Sequence, residues 1–248
     1  SITEVKVGYD GIVLANDKSA TTFELTLGQI YQALAKEVPA EGSNGETLVA
    51  NPYTHWNQID PNLPNTKIEV LGPPPTSGTR DAFSELAMEG GCKTFAAMAA
   101  LKKTDKKAFK AKCTTLREDG AYVDAGENDN LIVQKLQANP NALGIFGYSF
   151  LEQNADKLHG SIVEGYEPTF DAISVGDYPV SRSLFFYVKN QHVGSVPGLK
   201  EYLAEFTSDK AWGDYGYLTD KGLIPMQEDE RKKFADDAAK LNPLNNDS

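Results

Sequence analysis

An α/β fold is predicted by three observations. Apolar runs of strand length, at residues 67–71, 143–148 and 178–189, alternate with segments whose apolar residues recur at helical spacing. Alternation of this kind builds a sheet flanked by helices. No period of solenoid length repeats, and no Ser- or Gly-rich stretch is long enough to separate independent domains. Two lobes sharing several chain crossings are compatible with that pattern.

The elements follow in order. In residues 4–15, Val5 and Val7 alternate with polar residues before Ile12, Val13 and Leu14 run together, which predicts a strand pair or one bent strand broken at Gly8 and Gly11. Thr26 is placed to cap a helix over residues 27–38, with Leu27, Ile30, Tyr31 and Leu34 on one face. Residues 39–47 are polar and Gly-containing. His55, Trp56 and Ile59 suggest a short helical turn before Pro61. The strand at 67–71 stops at Gly72 and three prolines, and a helix starts near Thr79 or Arg80 with Phe83, Leu86 and Ala87 inward.

A second helical region covers 94–112, and its Lys-rich run at 102–112 reads as a solvated face. Residues 121–124 are extended, 130–137 helical, and 143–148 form a strand of buried type. The aromatics Phe185, Phe186 and Tyr187 are expected in the core. Helices are predicted at 197–206 and 209–217, then a charged helical tail from residue 227 that frays after Leu244.

Composition narrows the function classes. The 248 residues are 40% hydrophobic and 24% charged, ordinary for a globular protein of one large or two modest domains. The longest apolar stretch, near residues 184–188, is far too short to cross a bilayer. A net charge of −11 argues against nucleic acid as a partner, which wants a basic face. It does not argue against a small anion held locally by backbone N–H groups and one guanidinium. Cys92 and Cys113 allow one disulfide or two buried thiols, and their spacing leaves both open.

One segment carries recognisable chemistry, residues 71–83 with the sequence LGPPPTSGTRDAF. A strand leads through a Pro-stiffened loop into a helix whose first N–H groups have no intrahelical partner and whose end carries partial positive charge. Ser77 and Thr79 add hydroxyls, Gly78 lets a ligand approach its amide closely, and Arg80 supplies a planar fork for two oxygens of a tetrahedral oxyanion. The same residues also suit a simple N-cap. Neither a Walker A loop nor a GxSxG nucleophile elbow is present.

His55, His159 and His192 lie scattered without metal-ligand spacing and read as structural or surface residues. Glu127, Asn128 and Asp129 read as a helix cap and hinge element. Residues 178–182 place Arg182 in what reads as a hinge strand. No metal, cofactor or catalytic residue is expected.

The segment 71–83 resembles the phosphate loop of the phosphate-binding proteins of ABC transporters, in the type II periplasmic-binding-protein superfamily. Residues 6–15 (KVGYDGIVLA), 124–136 (DAGENDNLIVQKL), 142–150 (ALGIFGYSF) and 177–188 (DYPVSRSLFFYV) resemble further family motifs, in the family's order and over nearly the whole chain. The resemblance implies a two-lobed fold and an extracytoplasmic, monomeric receptor. Such a receptor closes on inorganic phosphate and delivers it to a membrane permease without chemistry of its own.

It also implies that Ser77, Gly78 and Thr79 bind phosphate through hydroxyls and amides. Arg80 matches the arginine that follows this triplet in one branch of the family. In another branch the arginine precedes the triplet, where this chain has Pro73. Family members begin with a further segment that contributes a second half of the ligand cage. The expectation is therefore an incomplete first lobe, made of residues 1–19 and 176–248, with the second lobe and its phosphate loop at 20–175. Export, as the family implies, favours a Cys92–Cys113 bridge. The competing readings are a receptor for another small oxyanion and a phosphatase-like hydrolase using Ser77 or Thr79, which would need an activating base near the loop.

Overall fold

The computed structural model describes residues 1–126 and 128–244. The main elements are β1 (Ile2–Asp17), α1 (Leu27–Leu34), β2 (Val70–Gly72), α2 (Gly78–Phe83), α3 (Ala96–Thr104), α4 (Lys106–Thr114), β3 (Tyr122–Asp124), α5 (Asp129–Ala138), β4 (Leu143–Gly147), β5 (Leu158–Gly160), β6 (Ser181–Lys189), α6 (Leu199–Phe206), α7 (Asp209–Trp212) and α8 (Glu228–Lys240). The chain forms two compact units. One comprises Ser1–Asp10, Ile173–Gly176 and Ser181–Ser248; the other comprises Gly11–Ala172 and Asp177–Val180.

In the larger unit, β2 pairs in parallel with β3 and with β4. Parallel neighbours need long crossovers; along the chain α2 to α4 lie between β2 and β3, and α5 between β3 and β4. The second half of β1 runs antiparallel to β4, with Ile12 opposite Gly147 and Ala15 opposite Gly144. Every residue from Gly11 to Ala15 is buried, which is why this part of β1 is apolar without alternation.

Thr26 and Gln29 form a reciprocal capping box that starts α1, and Ile30, Tyr31 and Leu34 are buried beneath it. The helix ends at Leu34, short of the predicted residue 38. Glu37–Pro39 instead pairs with Leu48–Ala50 and closes the polar stretch into a hairpin. The region 94–112 divides at Asp105, whose side chain accepts from the Ala108 amide at 2.9 Å and so caps α4. α2 continues through a π-helical turn, Ser84–Met88, into the helix Glu89–Cys92. There Cys92 is disulfide-bonded to Cys113 of α4.

In the smaller unit the first half of β1 lies beside β6. Val5, Val188, Leu203, Trp212, Met226 and Ala238 form its core. Phe186 and Trp212 each meet Phe206 edge-on, at 5.1 and 6.4 Å. β1 is unbroken at Gly8 and Gly11, contrary to expectation. Gly8 is needed for a close approach instead, because a Cβ there would lie 2.5 Å from the Ile224 carbonyl oxygen. The amide of the next residue, Tyr9, donates to that same carbonyl at 2.8 Å.

The expected burial of residues 185–187 is also corrected. Phe186 packs on the core, whereas Phe185 is 42% and Tyr187 58% exposed. Side chains alternate faces along a strand, so three successive aromatics cannot all point one way. Lys6 is bonded to Glu230 at 2.6 Å, and Tyr9 donates to the other Glu230 oxygen at 2.8 Å, which fixes α8 to β1. Buried Arg231 reaches Asp214 at 2.7 Å and the Met226 carbonyl at 2.6 Å. The tail is helical from Glu228, and residues 245–248 lie outside the described residues.

Candidate functional site

The candidate loop leaves the carboxyl end of a parallel strand, the end at which open α/β sheets bind ligands. β2 ends at Gly72, Pro73 to Pro75 follow, and the Ser77 amide donates to the Pro74 carbonyl at 3.0 Å to close a turn. Ser77 is extended and is the N-cap of α2. Its Oγ accepts from the Thr79 amide at 3.2 Å. The cap and the ligand readings thus meet in one residue, and the Thr79 amide is committed to Ser77 in this structure.

Gly78 is exposed, and a Cβ built on it would meet nothing within 4 Å. Its open side needs no positive φ; it is simply a place where backbone can be approached. Thr76 is exposed, while Ser77, Thr79 and Arg80 are half-buried. Asp81 in the same first turn complements the partial positive charge that would attract an anion.

Arg80 does not swing out into solvent. Its Nη1 donates to the Tyr122 hydroxyl at 3.0 Å and to the Pro73 carbonyl at 3.2 Å. Its guanidinium carbon lies 4.7 Å from the centre of the Tyr122 ring. The Tyr122 hydroxyl in turn donates to the Pro73 carbonyl at 2.8 Å. Burial pushes the Tyr122 phenol up from its ordinary pKa, and the adjacent Arg80 charge only partly opposes it. Tyr122 was missed from the sequence, because nothing in residues 121–124 signals a contact 42 positions away. The one clue is Gly72, where a Cβ would lie 2.2 Å from the Tyr122 hydroxyl.

The other residues singled out fall elsewhere. Arg182 is 3.8 Å from Asp10, within the smaller unit. Asn128 caps α5 through the Asn130 amide at 3.1 Å, and Asp129 opens that helix. Glu127 lies outside the described residues. His55 contacts Thr54 at 3.0 Å, His159 stands opposite Asn16 across β5 and β1, and His192 lies in the short helix Asn190–Val193. Among the described residues no three His, Cys, Asp or Glu side chains cluster to hold a metal ion, and no helix is long and apolar enough to cross a membrane.

The family described as PBP superfamily domain matches residues 1–210. The chain belongs to the PBP superfamily. Among its relatives in that superfamily is a phosphate-binding protein PstS of Staphylococcus haemolyticus. It is 28% identical over 222 residues, 87% of this chain and 57% of the relative. The PstS of Staphylococcus epidermidis is 29% identical, over 94% of this chain and 61% of the relative. The chain therefore spans about three fifths of the curated relatives it matches.

Solved PBP structures share its type II fold. A possible phosphate-binding protein from Planctomyces limnophilus aligns with a TM-score of 0.65 at 22% identity, covering 98% of this chain and 74% of that one. A putative phosphate ABC transporter substrate-binding protein from Clostridium perfringens, solved with bound phosphate, aligns with a TM-score of 0.58 at 22% identity. It covers 91% of this chain and 72% of its own.

Proposed function

We propose that this PBP-superfamily chain is the phosphate receptor of an ABC transporter, with Ser77, Gly78, Thr79 and Arg80 as its phosphate-binding residues. It works outside the cytoplasm as a monomer, captures inorganic phosphate, delivers it to a membrane permease and catalyses nothing. Residues 20–175 make the lobe that carries the loop, and 1–19 with 176–248 belong to the other lobe. The two compact units support that division, with their first crossing nearer to Asp10. The names of the staphylococcal relatives and the phosphate-bound Clostridium perfringens structure support the substrate.

The observation that carries the reading is the open Gly78 backbone at the strand end, with two hydroxyl side chains and one guanidinium beside it. Charge-assisted hydrogen bonds contribute about 1.5–3 kcal/mol each when well placed. Two to four of them on one open loop must also offset desolvation and lost ligand freedom. A dissociation constant of roughly millimolar follows for the 248-residue chain.

Calorimetric or NMR titration with inorganic phosphate tests this. Arg80→Ala is expected to abolish binding, and Arg182→Ala to leave it unchanged. Unaltered binding by Arg80→Ala would move the anion site elsewhere. Sulfate binding at equal strength would favour a less selective oxyanion receptor.

A further inference from the structure

We propose that Tyr122 is a positioning residue that fixes the plane of the Arg80 guanidinium and decides which of its edges meets the anion; this rests on the phosphate reading of the loop. Three elements converge on one point. Gly72 and Pro73 come from the end of β2, Tyr122 from β3 and Arg80 from the first turn of α2.

The Tyr122 ring lies against the guanidinium at 4.7 Å, and its hydroxyl accepts from Nη1 at 3.0 Å. The Pro73 carbonyl takes a second Nη1 bond at 3.2 Å and the Tyr122 hydroxyl proton at 2.8 Å. The two acceptors stand 2.8 Å apart and both accept from Nη1, so that nitrogen is already engaged on this side. The hydroxyl donates once and accepts once. Room for it exists because residue 72 has no side chain, and a Cβ there would sit 2.2 Å from the phenolic oxygen.

The chemistry that follows concerns the fork. A guanidinium grips two oxygens along either of two edges, Nη1–Nη2 or Nε–Nη2. With Nη1 held by Tyr122 and Pro73, the Nε–Nη2 edge is the one free of protein partners among the described residues, and a bidentate oxyanion is taken there. The ring lying against the guanidinium and two bonds at one nitrogen leave the group little freedom to turn. The orientation cost that a long arginine pays on binding is then met before the ligand arrives. A lysine at position 80 would gain nothing from this arrangement, because an ammonium is a point charge without a plane.

The test uses the full chain, labelled with nitrogen-15, and inorganic phosphate as the probe. The Arg80 Nε–Hε signal is expected to be as ordered as the backbone without phosphate, and to shift more than any other arginine side-chain signal during titration. Tyr122→Phe, which keeps the ring, should weaken phosphate about fivefold, the worth of one net hydrogen bond. In an Arg80→Lys background the same substitution should change binding less than about twofold, since the coupling partner is gone.

An equal loss in both backgrounds would make Tyr122 a prop for the loop and overturn the proposal. So would a mobile Arg80 side chain in the unaltered protein, whatever the variants do. If no resonance responds to phosphate, the functional reading falls; an Arg80 signal that is ordered here and disordered in Tyr122→Leu would still uphold the positioning.

Discussion

β4 and β6 are both apolar runs with aromatics at their centres, yet the structure treats them differently. β4 lies between β1 and β2 and buries every residue except half-buried Gly147. β6 ends the strand order of its sheet among the described residues, and its burial alternates, with Phe185 and Tyr187 outward. Composition was the same kind of signal in both places. What differs is whether strands stand on both sides and whether both faces are covered, and neither is written in the run itself. An apolar strand left at a sheet edge is also a template for pairing, so the two strands should answer substitution in different ways.

The largest effect should come from breaking the interior strand. Phe146 is 1% exposed and meets Phe150 edge-on at 5.5 Å. Phe146→Ala is expected to cost about 3–5 kcal/mol in urea unfolding. Phe185→Ala in β6 should cost less than about 1 kcal/mol, because so much of the ring is already in water. Equal losses would mean that β6 is as buried in solution as β4.

Next in size is the disulfide, which sharpens the contrast between the units because the larger one holds both cysteines. Closing a loop of 21 residues contributes about 3 kcal/mol through the unfolded state. A reductant should therefore lower the unfolding free energy of the larger unit by that amount, read by hydrogen exchange at the α1 and α4 amides. Amides of α6 and α8 should be unmoved. A uniform loss across all four helices would show the two units unfolding as one.

The smallest effect belongs to the smaller unit and depends on pH. Burial pulls the Glu230 carboxyl upward, but hydrogen bonds from Lys6 and Tyr9 outweigh it and hold it below the usual value. A depressed carboxylate stabilises the fold above its unfolded value, about 4.3, and loses that contribution as pH falls through the lower folded value. Lys6 also feels burial, which lowers it, yet the bonds to Glu230 and Tyr9 leave it above its ordinary 10.5. Its contribution is complete below that value and fades as pH rises beyond it. Discounted for partial exposure, the pair is worth about 1 kcal/mol at neutral pH. Glu230→Gln should flatten the acid limb of the stability curve for β1 and α8; an unchanged acid limb would assign the sensitivity to other carboxylates.

Local rules served well where the deciding contacts are local. Thr26 and Gln29 cap α1 within one turn, Asn128 caps α5, and the strand–loop–helix around Ser77 and Gly78 was legible from Pro, Gly and hydroxyl residues alone. Distant partners were not legible. Gly8 looked like a break but makes room for Ile224, and residues 37–39 left the helix to pair with 48–50. Arg80 was singled out for its charge, while the tyrosine that holds it sits on another strand.

The π-helical turn at Ser84–Met88 has a consequence for insertions and deletions. Its closing bond runs from the Glu89 amide to the Ser84 carbonyl, one residue longer than an α turn. That extra residue advances the angular phase of everything downstream by roughly 100°. Cys92, tethered to α4, sets the phase at one end, and Arg80, held at Tyr122, sets it at the other. Removing a single residue between them would restore regular winding, and one of the two anchors would have to let go.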